Sequence, residues 1–240
     1  MKRSISLTVA CGVVALTMGT SSLSAQLVNL PVYYSPNQGP GLAINADYAR
    51  GFEDNQDVNF FGGRAVLGLG VANVMAGAGI LSFGGDGVVD VDNEMTLGGA
   101  VSLNLFQGPL VPVAVGLQTG LGYTKFGEGV TAITQIDVPI GVGLSLSVPS
   151  PGVSVEPWAA PRLHYRSISP DVGDSESELG YGVSAGLNIT LPGGFGGHVA
   201  ADYLKIDTPV AGVSLNEFTL GVGLHYRIGV PGIVPGGIIK

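Results

Sequence analysis

Large and small side chains alternate along most of this chain with a period of two residues. The alternation is typical of β-strands, because successive strand side chains point to opposite faces, and it does not fit the 3.6-residue period of a helix. In the run around residue 118, for example, Leu117, Thr119 and Leu121 share one face, and Gln118 and Gly120 share the other. Ten runs carry the pattern, at about 41–52, 59–69, 73–83, 94–106, 111–125, 133–147, 152–167, 178–191, 195–206 and 217–228.

The connectors between these runs predict the topology. Those after the second, fourth, sixth and eighth runs are short, whereas the others are longer and often acidic. Short turns at one end and longer loops at the other indicate an up-and-down antiparallel barrel, which a Greek-key sandwich does not explain. We therefore predict an all-β barrel of about ten strands, with eight as the alternative if the first or third run is misassigned.

The composition of the small-residue face indicates which solvent the barrel meets. The chain has 40 glycines among 240 residues and 12% charged residues, against about 25% in a typical soluble domain. A strand face in water would carry Lys, Glu and Arg, but this face is mainly Gly, Ala, Ser, Asn and Thr. The bulky Leu, Val and Ile face is therefore predicted to contact lipid, which makes the fold a transmembrane β-barrel. A secreted soluble barrel or sandwich is the alternative.

Aromatic residues support the membrane assignment, because they concentrate near the ends of the runs. Membrane barrels carry girdles of such residues at both lipid–water interfaces. Eight lie at the predicted long-loop end: Tyr48, Phe61, Phe83, Tyr123, Tyr165, Tyr181, Tyr203 and Phe218. Phe106, Phe195 and Tyr226 lie at the opposite end and are candidates for the second girdle.

The first 25 residues are predicted to be a cleaved signal peptide. Lys2 and Arg3 precede an apolar stretch at 5–18, and small residues at 21–25 place the cut between Ala25 and Gln26. The apolar stretch is shorter than the ~20 residues of a membrane-spanning helix. A lipoprotein would need cleavage at Cys11, the only cysteine, with almost no apolar region before it. We divide the remainder into a periplasmic N-terminal segment (26–40), the barrel (41–228) and a tail (229–240).

The chain resembles the small outer-membrane β-barrel proteins of Gram-negative bacteria, a group that includes opacity-type and porin-like barrels. The likeness lies in the leader, the even number of runs, the sided connectors and strand-like segments such as Glu156-Pro157-Trp158 and 225–228. It implies an outer-membrane location with the N-terminus in the periplasm, insertion by the barrel-assembly machinery, and contact with lipid and lipopolysaccharide. One departure is that many such proteins end on an aromatic residue of the last strand, whereas here 229–240 follow it.

Polar residues on the inward phase are the candidate site residues. Measured from the expected hairpin centres, Asp47 is predicted to face Arg64, Asp137 to face Arg162, and His198 to face His225. We expect the first two pairs to be internal ion pairs, with separately solvated lumen charges as the alternative. Two histidines could hold a metal, but no third ligand is evident, so polar filling is favoured. The predicted lumen-facing polar residues are Asp47, Arg64, Gln118, Asp137, Glu156, Arg162, His198, Asp202, His225 and Arg227.

Several functions are excluded or disfavoured. A net charge of −8 without a basic patch excludes nucleic-acid binding. No nucleophile elbow, triad spacing or phosphate loop is present, so we expect no enzyme and no cofactor, and an outer-membrane hydrolase is a remote alternative. The remaining candidates are a structural barrel, a narrow passive pore for small solutes, and an adhesin using its acidic loops. Those loops could also bind lipopolysaccharide through divalent cations.

Overall fold

The fold is an antiparallel β-structure throughout. The computed structural model describes residues 35, 39–53, 56–84, 93–107, 112–150, 152–207 and 214–229, so the predicted signal peptide, most of the N-terminal segment and nearly all of the tail lie outside the described residues. The strands are β1 Gly41–Glu53, β2 Gln56–Gly68, β3 Ala72–Gly84, β4 Glu94–Gln107, β5 Val113–Phe126, β6 Ile133–Leu146, β7 Val148–Ser150, β8 Val153–Pro170, β9 Glu176–Thr190, β10 Phe195–Asp207 and β11 Ser214–Ile228. A 3-10 turn spans Gly129–Thr131. None of the helical segments in the described ranges has the length and apolar character needed to cross a membrane.

Ten of these strands form a closed ring. Each pairs with its neighbours in sequence, β1 closes the ring against β11, and β6 pairs with β8. The three-residue β7 is an extra ribbon that pairs only with the start of β8. The predicted ten-stranded up-and-down barrel is confirmed. We call the end where β1 begins and β11 ends the turn end, and the opposite end the loop end.

The strands extend further towards the loop end than the sequence pattern predicts. Glu53 pairs with Gln56, so β1 and β2 are separated by two residues rather than by the expected loop. The other connectors at the loop end contain five to nine residues, against three to six at the turn end. The difference in connector length between the two ends is therefore smaller than predicted, because backbone pairing continues through the polar ends of the runs.

The two faces of the wall differ as the alternation predicts. Leu117 is 42% exposed on the outside, and its neighbour Gln118 is fully buried inside. At the loop end the outer surface carries an aromatic row: Tyr48, Phe61, Tyr123, Tyr165, Tyr181, Tyr203 and Phe218. Phe106, Phe195 and Tyr226 are exposed near the turn end. Phe83, expected in the outer row, instead faces inward, where it packs edge-on against Phe126 with the ring centroids 6.4 Å apart.

Three prolines interrupt the ladder on one side of the barrel. Pro139 lies in β6, and Pro157 and Pro161 lie in β8. Proline has no amide hydrogen, so each removes one donor from the sheet. Between Gly141 and Leu144 of β6, the pairing with β8 is interrupted.

Candidate functional site

The barrel interior is filled by large side chains that lie against inward-facing glycines. An added Cβ at Gly79 would lie 2.1 Å from the Phe60 ring, and one at Gly186 would lie 2.6 Å from the Trp158 ring. Gln118 occupies the corresponding space beside Gly143. Glycine on the inward row therefore makes room for a neighbouring side chain. The room is used for packing by these side chains.

The first of three internal charge clusters contains Asp47, Arg64 and His198. Arg64 donates to Asp47 from Nε and Nη2, at 2.6 and 3.1 Å. Nε2 of His198 lies 2.7 Å from the Asp47 carboxylate, which links β10 to β1 across β11. Gly223 of β11 leaves the space for this contact, since a Cβ there would lie 2.5 Å from the histidine ring.

The predicted contact between Asp47 and Arg64 is present, but the register is different from the predicted one. Arg64 is opposite Asn45, and Asp47 is opposite Gly62, so the ion pair is diagonal. The hairpin turns one residue earlier than assumed, because β1 and β2 continue to Glu53 and Gln56. The shift moves each partner by two residues, which keeps both side chains on the inner face.

The second cluster joins Arg162, Ser184 and Asp202. Arg162 donates to both carboxylate oxygens of Asp202, at 2.6 and 2.8 Å, in the bidentate geometry that arginine favours. The hydroxyl of Ser184 on β9 donates to the same carboxylate at 2.6 Å. The predicted pair of Arg162 with Asp137 is wrong, because Arg162 is opposite Gly141 and Asp137 is opposite Arg166.

The third cluster contains Asp137, His164, Arg166 and Glu217. Oδ1 of Asp137 accepts from Arg166 Nε at 2.8 Å and lies 2.6 Å from His164 Nε2. Arg166 also donates to Glu217 Oε1 at 2.7 Å, which joins β8 to β11 over the two strands between them. Gln135 supports Asp137 through a 2.7 Å hydrogen bond.

The three clusters are almost completely shielded from solvent. Their charged residues are between 0 and 7% exposed, although each is of a type that is rarely buried without a partner. Their contacts join strands that are two or three positions apart in the ring, so the clusters extend into the barrel interior.

The remaining predicted site residues lie nearer the turn end. Glu156 accepts hydrogen bonds from Asn188 and Ser147, at 3.3 and 3.4 Å. His225 is opposite Gly196 rather than His198, and its Nε2 lies 3.0 Å from the hydroxyl of Thr190. The rings of His198 and His225 stack with centroids 6.0 Å apart. Within the described ranges, no group of three or more His, Cys, Asp or Glu side chains is arranged to hold a metal ion.

The predicted site residues do not include six members of the network or its edge: Gln135, His164, Arg166, Ser184, Glu217 and Glu178. Arg166 and Glu178 fall within two residues of predicted strand ends, where a charged side chain is normally solvated. Glu217 begins the last predicted run. The alternation contained a signal for Arg166. Arg162, His164 and Arg166 follow one another at a spacing of two, so all three side chains point to the inner face of the strand.

The arrangement of the chain matches a known family. A family model described as an outer membrane protein β-barrel domain matches residues 13–226. The chain belongs to this family. Membership in the outer membrane protein β-barrel family places the barrel in the bacterial outer membrane and agrees with the closed antiparallel ring described above.

Three solved structures similar to this chain are distant from it in sequence. The β-domain of the Bordetella autotransporter BrkA is 15% identical, with 80% of this chain and 100% of that chain covered and a TM-score of 0.45. The N-terminal β-barrel domain of Pseudomonas aeruginosa OprF is 15% identical over the same shares, with a TM-score of 0.37. The outer membrane protease OmpT of Escherichia coli is 11% identical over 78% of this chain and 94% of that chain, with a TM-score of 0.40. No curated protein matches the chain in sequence.

Proposed function

We propose that this outer membrane barrel is a structural protein whose lumen is closed to passive diffusion. The observation that carries the proposal is the buried charge network across the middle of the lumen, with every charged member at most 7% exposed. Solutes would have to break bidentate and bridging ion pairs to pass. Breaking such a buried pair leaves uncompensated charges in a medium of low dielectric constant, which is costly.

A narrow passive pore is the competing function, and the size of the barrel argues against it. A ten-stranded ring is much narrower than the 16-stranded barrels that enclose an aqueous channel. In this ring, inward-facing Trp158, Arg162 and Phe60 occupy the space that inward-facing glycines leave. The structural barrel is therefore favoured over the pore.

Single-channel recording in planar bilayers tests this proposal. The wild-type protein is expected to give a flat trace, whereas discrete conductance steps would contradict it. A double variant, Arg166→Ala with Glu217→Ala, removes the bridge between β8 and β11 and is expected to introduce conductance steps. Lys125→Ala is the matched control, because Lys125 forms a half-exposed ion pair with Asp171 at the loop end. It is expected to remain silent.

We also propose that the barrel is not an enzyme. His164 and Asp137 contact each other as a general base and its orienting carboxylate would, but their side chains are at most 1% exposed. Nδ1 of His164 has no hydrogen-bond partner in the described part of the chain, so no nucleophilic hydroxyl is held against it. Arg166 occupies the same carboxylate oxygen that His164 contacts. A search for hydrolysis of lipid, peptide and ester substrates by the purified barrel is expected to be negative.

Export through a signal peptide completes the proposal. The charged start, the apolar stretch at 5–18 and the small residues before Gln26 support cleavage after Ala25. We infer that the turn end then faces the periplasm, as short turns do in bacterial barrels, after insertion by the barrel-assembly machinery. Intact mass spectrometry of protein from outer membranes is expected to give a chain that begins at Gln26. A mass that includes residues 1–25 would contradict this assignment.

A further inference from the structure

The outer face of the barrel carries a band of hydrogen-bond donors beside the aromatic row at the loop end. On β10, β11, β1 and β2, which are successive strands of the ring, a polar residue lies two positions nearer the loop end than an aromatic residue of the row. These polar residues are Lys205, Asn216, Arg50 and Asn59. Neighbouring strands lie about 4.8 Å apart, so the set spans about 15 Å around the ring. We call these residues the donor arc.

On β1 and β2 the arc combines a cation with an amide. Arg50 is opposite Asn59 in the register of the two strands, and the hydroxyl of Tyr48 donates to Oδ1 of Asn59 at 2.8 Å. Because this contact engages the amide oxygen, the NH2 group, which can only donate, is the part of Asn59 that a ligand can meet. Arg50 is exposed on the outer face, where its guanidinium lies 5.6 Å from the centre of the Phe52 ring.

The same arrangement is repeated on β10 and β11. Lys205 is opposite Asn216, and the hydroxyl of Tyr203 donates to Oδ1 of Asn216 at 2.9 Å. Among the described residues, neither the Lys205 ammonium group nor the NH2 group of Asn216 has a hydrogen-bond or ion-pair partner, and Asp207 at the end of β10 is not paired with the lysine. Since β11 and β1 are neighbours in the ring, the two cation–amide units lie side by side.

The position of the arc relative to the aromatic row determines the surroundings of these donors. Aromatic rows mark the level at which the hydrocarbon of a membrane gives way to lipid headgroups. Polar groups at or just beyond this level, on the outer face, therefore lie among headgroups. At the equivalent position β9 has Leu179 and β8 has Ser167, and Lys125 of β5 is paired with Asp171. The donor arc thus marks one side of the barrel.

We propose that the donor arc binds the phosphate groups of lipopolysaccharide. Two cations and two amide NH2 groups offer only donors, and phosphate oxygens are acceptors that form strong charge-assisted hydrogen bonds with arginine and lysine. The spread of the arc over neighbouring strands admits more than one phosphate. The choice of lipopolysaccharide, a lipid of the outer leaflet, rests on the proposed orientation, in which the turn end faces the periplasm and the loop end faces outward.

The binding test uses the mature chain refolded in detergent and purified lipopolysaccharide as the probe. Saturable binding is expected by microscale thermophoresis, with an affinity that falls as salt is added, because salt screens exposed charges. Chemically dephosphorylated lipopolysaccharide and phosphatidylglycerol, which has a single phosphate, are each expected to bind at least about fivefold more weakly. Equal affinity for the dephosphorylated form would overturn the proposal, and equal affinity for phosphatidylglycerol would overturn the choice of lipid.

Matched variants locate the site. Lys205→Gln and Arg50→Gln are each expected to weaken lipopolysaccharide binding by about fivefold, because each removes one cation at the headgroup level. Lys125→Gln is the control, since it removes the same charge at the same end of the barrel from an ammonium group that already lies 3.6 Å from Asp171, and the affinity should not change. Equal losses in Lys205→Gln and Lys125→Gln would refute the donor arc as the site.

Binding in detergent depends neither on the direction of insertion nor on the lumen. A failure of the binding test is therefore distinct from a failure of the proposed orientation or of the closed lumen.

Discussion

Arg166 on β8 reaches across the barrel interior to Glu217 on β11, with 2.7 Å between Nη1 and Oε1. The same guanidinium binds Asp137 on β6 through Nε at 2.8 Å. The Arg166 side chain thus connects β8 to its neighbour β6 and to β11, which lies three positions further along the ring. All three residues are at most 2% exposed, so the contacts are sheltered from the screening that weakens surface ion pairs.

Replacing Arg166 with Met is expected to be strongly destabilising. The change leaves the buried carboxylates of Asp137 and Glu217 without their main cationic partner, which typically costs about 3–5 kcal/mol. Urea unfolding of the refolded barrel, followed by tryptophan emission, measures the loss. Lys125→Met is the control, because its 3.6 Å contact with Asp171 is half-exposed and contributes at most about 1 kcal/mol. Equal losses in the two variants would contradict the assigned role of Arg166.

Arg162 and Asp202 are expected to be energetically coupled. Either single change, Arg162→Leu or Asp202→Leu, leaves one buried charge unpaired, whereas the double variant leaves neither. The double variant is therefore expected to be more stable than the sum of the single losses implies, by about 1–3 kcal/mol. A double-mutant cycle from unfolding curves measures the coupling energy. A value near zero would show that the 2.6 Å contact contributes nothing specific.

Replacing Gly79 with Ala is expected to destabilise the barrel as long as the Phe60 ring is present. A methyl group at Gly79 would overlap Phe60, and such overpacking costs about 1–3 kcal/mol. Combining Gly79→Ala with Phe60→Leu is expected to recover part of the loss, since the shorter side chain leaves room. Gly63→Ala is the comparison, because its Cβ comes no closer than 3.3 Å to the carbonyl of Asn45. If Gly79→Ala unfolds at the same denaturant concentration as Gly63→Ala, the packing assignment is wrong.

Spin labels on two consecutive residues are expected to report opposite surroundings. The chain from Gln26 onward has no cysteine, so Leu117→Cys and Gln118→Cys give single labelling sites. In lipid vesicles the label at 117 is expected to be accessible to dissolved oxygen, which concentrates in the hydrocarbon, and the label at 118 is expected to be shielded. Equal accessibility at the two sites would contradict the outward orientation of the bulky face.

The alternation along the chain was sufficient to predict the barrel, because one residue of phase decides which face a side chain occupies. It placed Leu117 outside and Asp47, Arg162 and His198 inside. The pairing of residues across strands was harder to predict. The partner of Asp137 depends on the centre of the turn between β6 and β8, and β7 with its connecting residues shifts that centre by two residues. The bridge from Arg166 to Glu217 depends on the curvature and stagger of the whole ring, which no local pattern contains. Phe83 shows the same limit at a strand end, where it turns inward and packs against Phe126.

The prolines of β6 and β8 leave one sector of the ring short of backbone donors. A closed barrel distributes its backbone hydrogen bonds around the circumference, so every longitudinal seam would otherwise resist separation about equally. Pro139, Pro157 and Pro161 remove donors from this sector, and the pairing is interrupted on two seams, between Thr119 and Gly122 of β5 and between Gly141 and Leu144 of β6. His164 and Arg166 contact Asp137 across the seam between β6 and β8, so in this sector buried side chains supply contacts between strands where the backbone lacks donors.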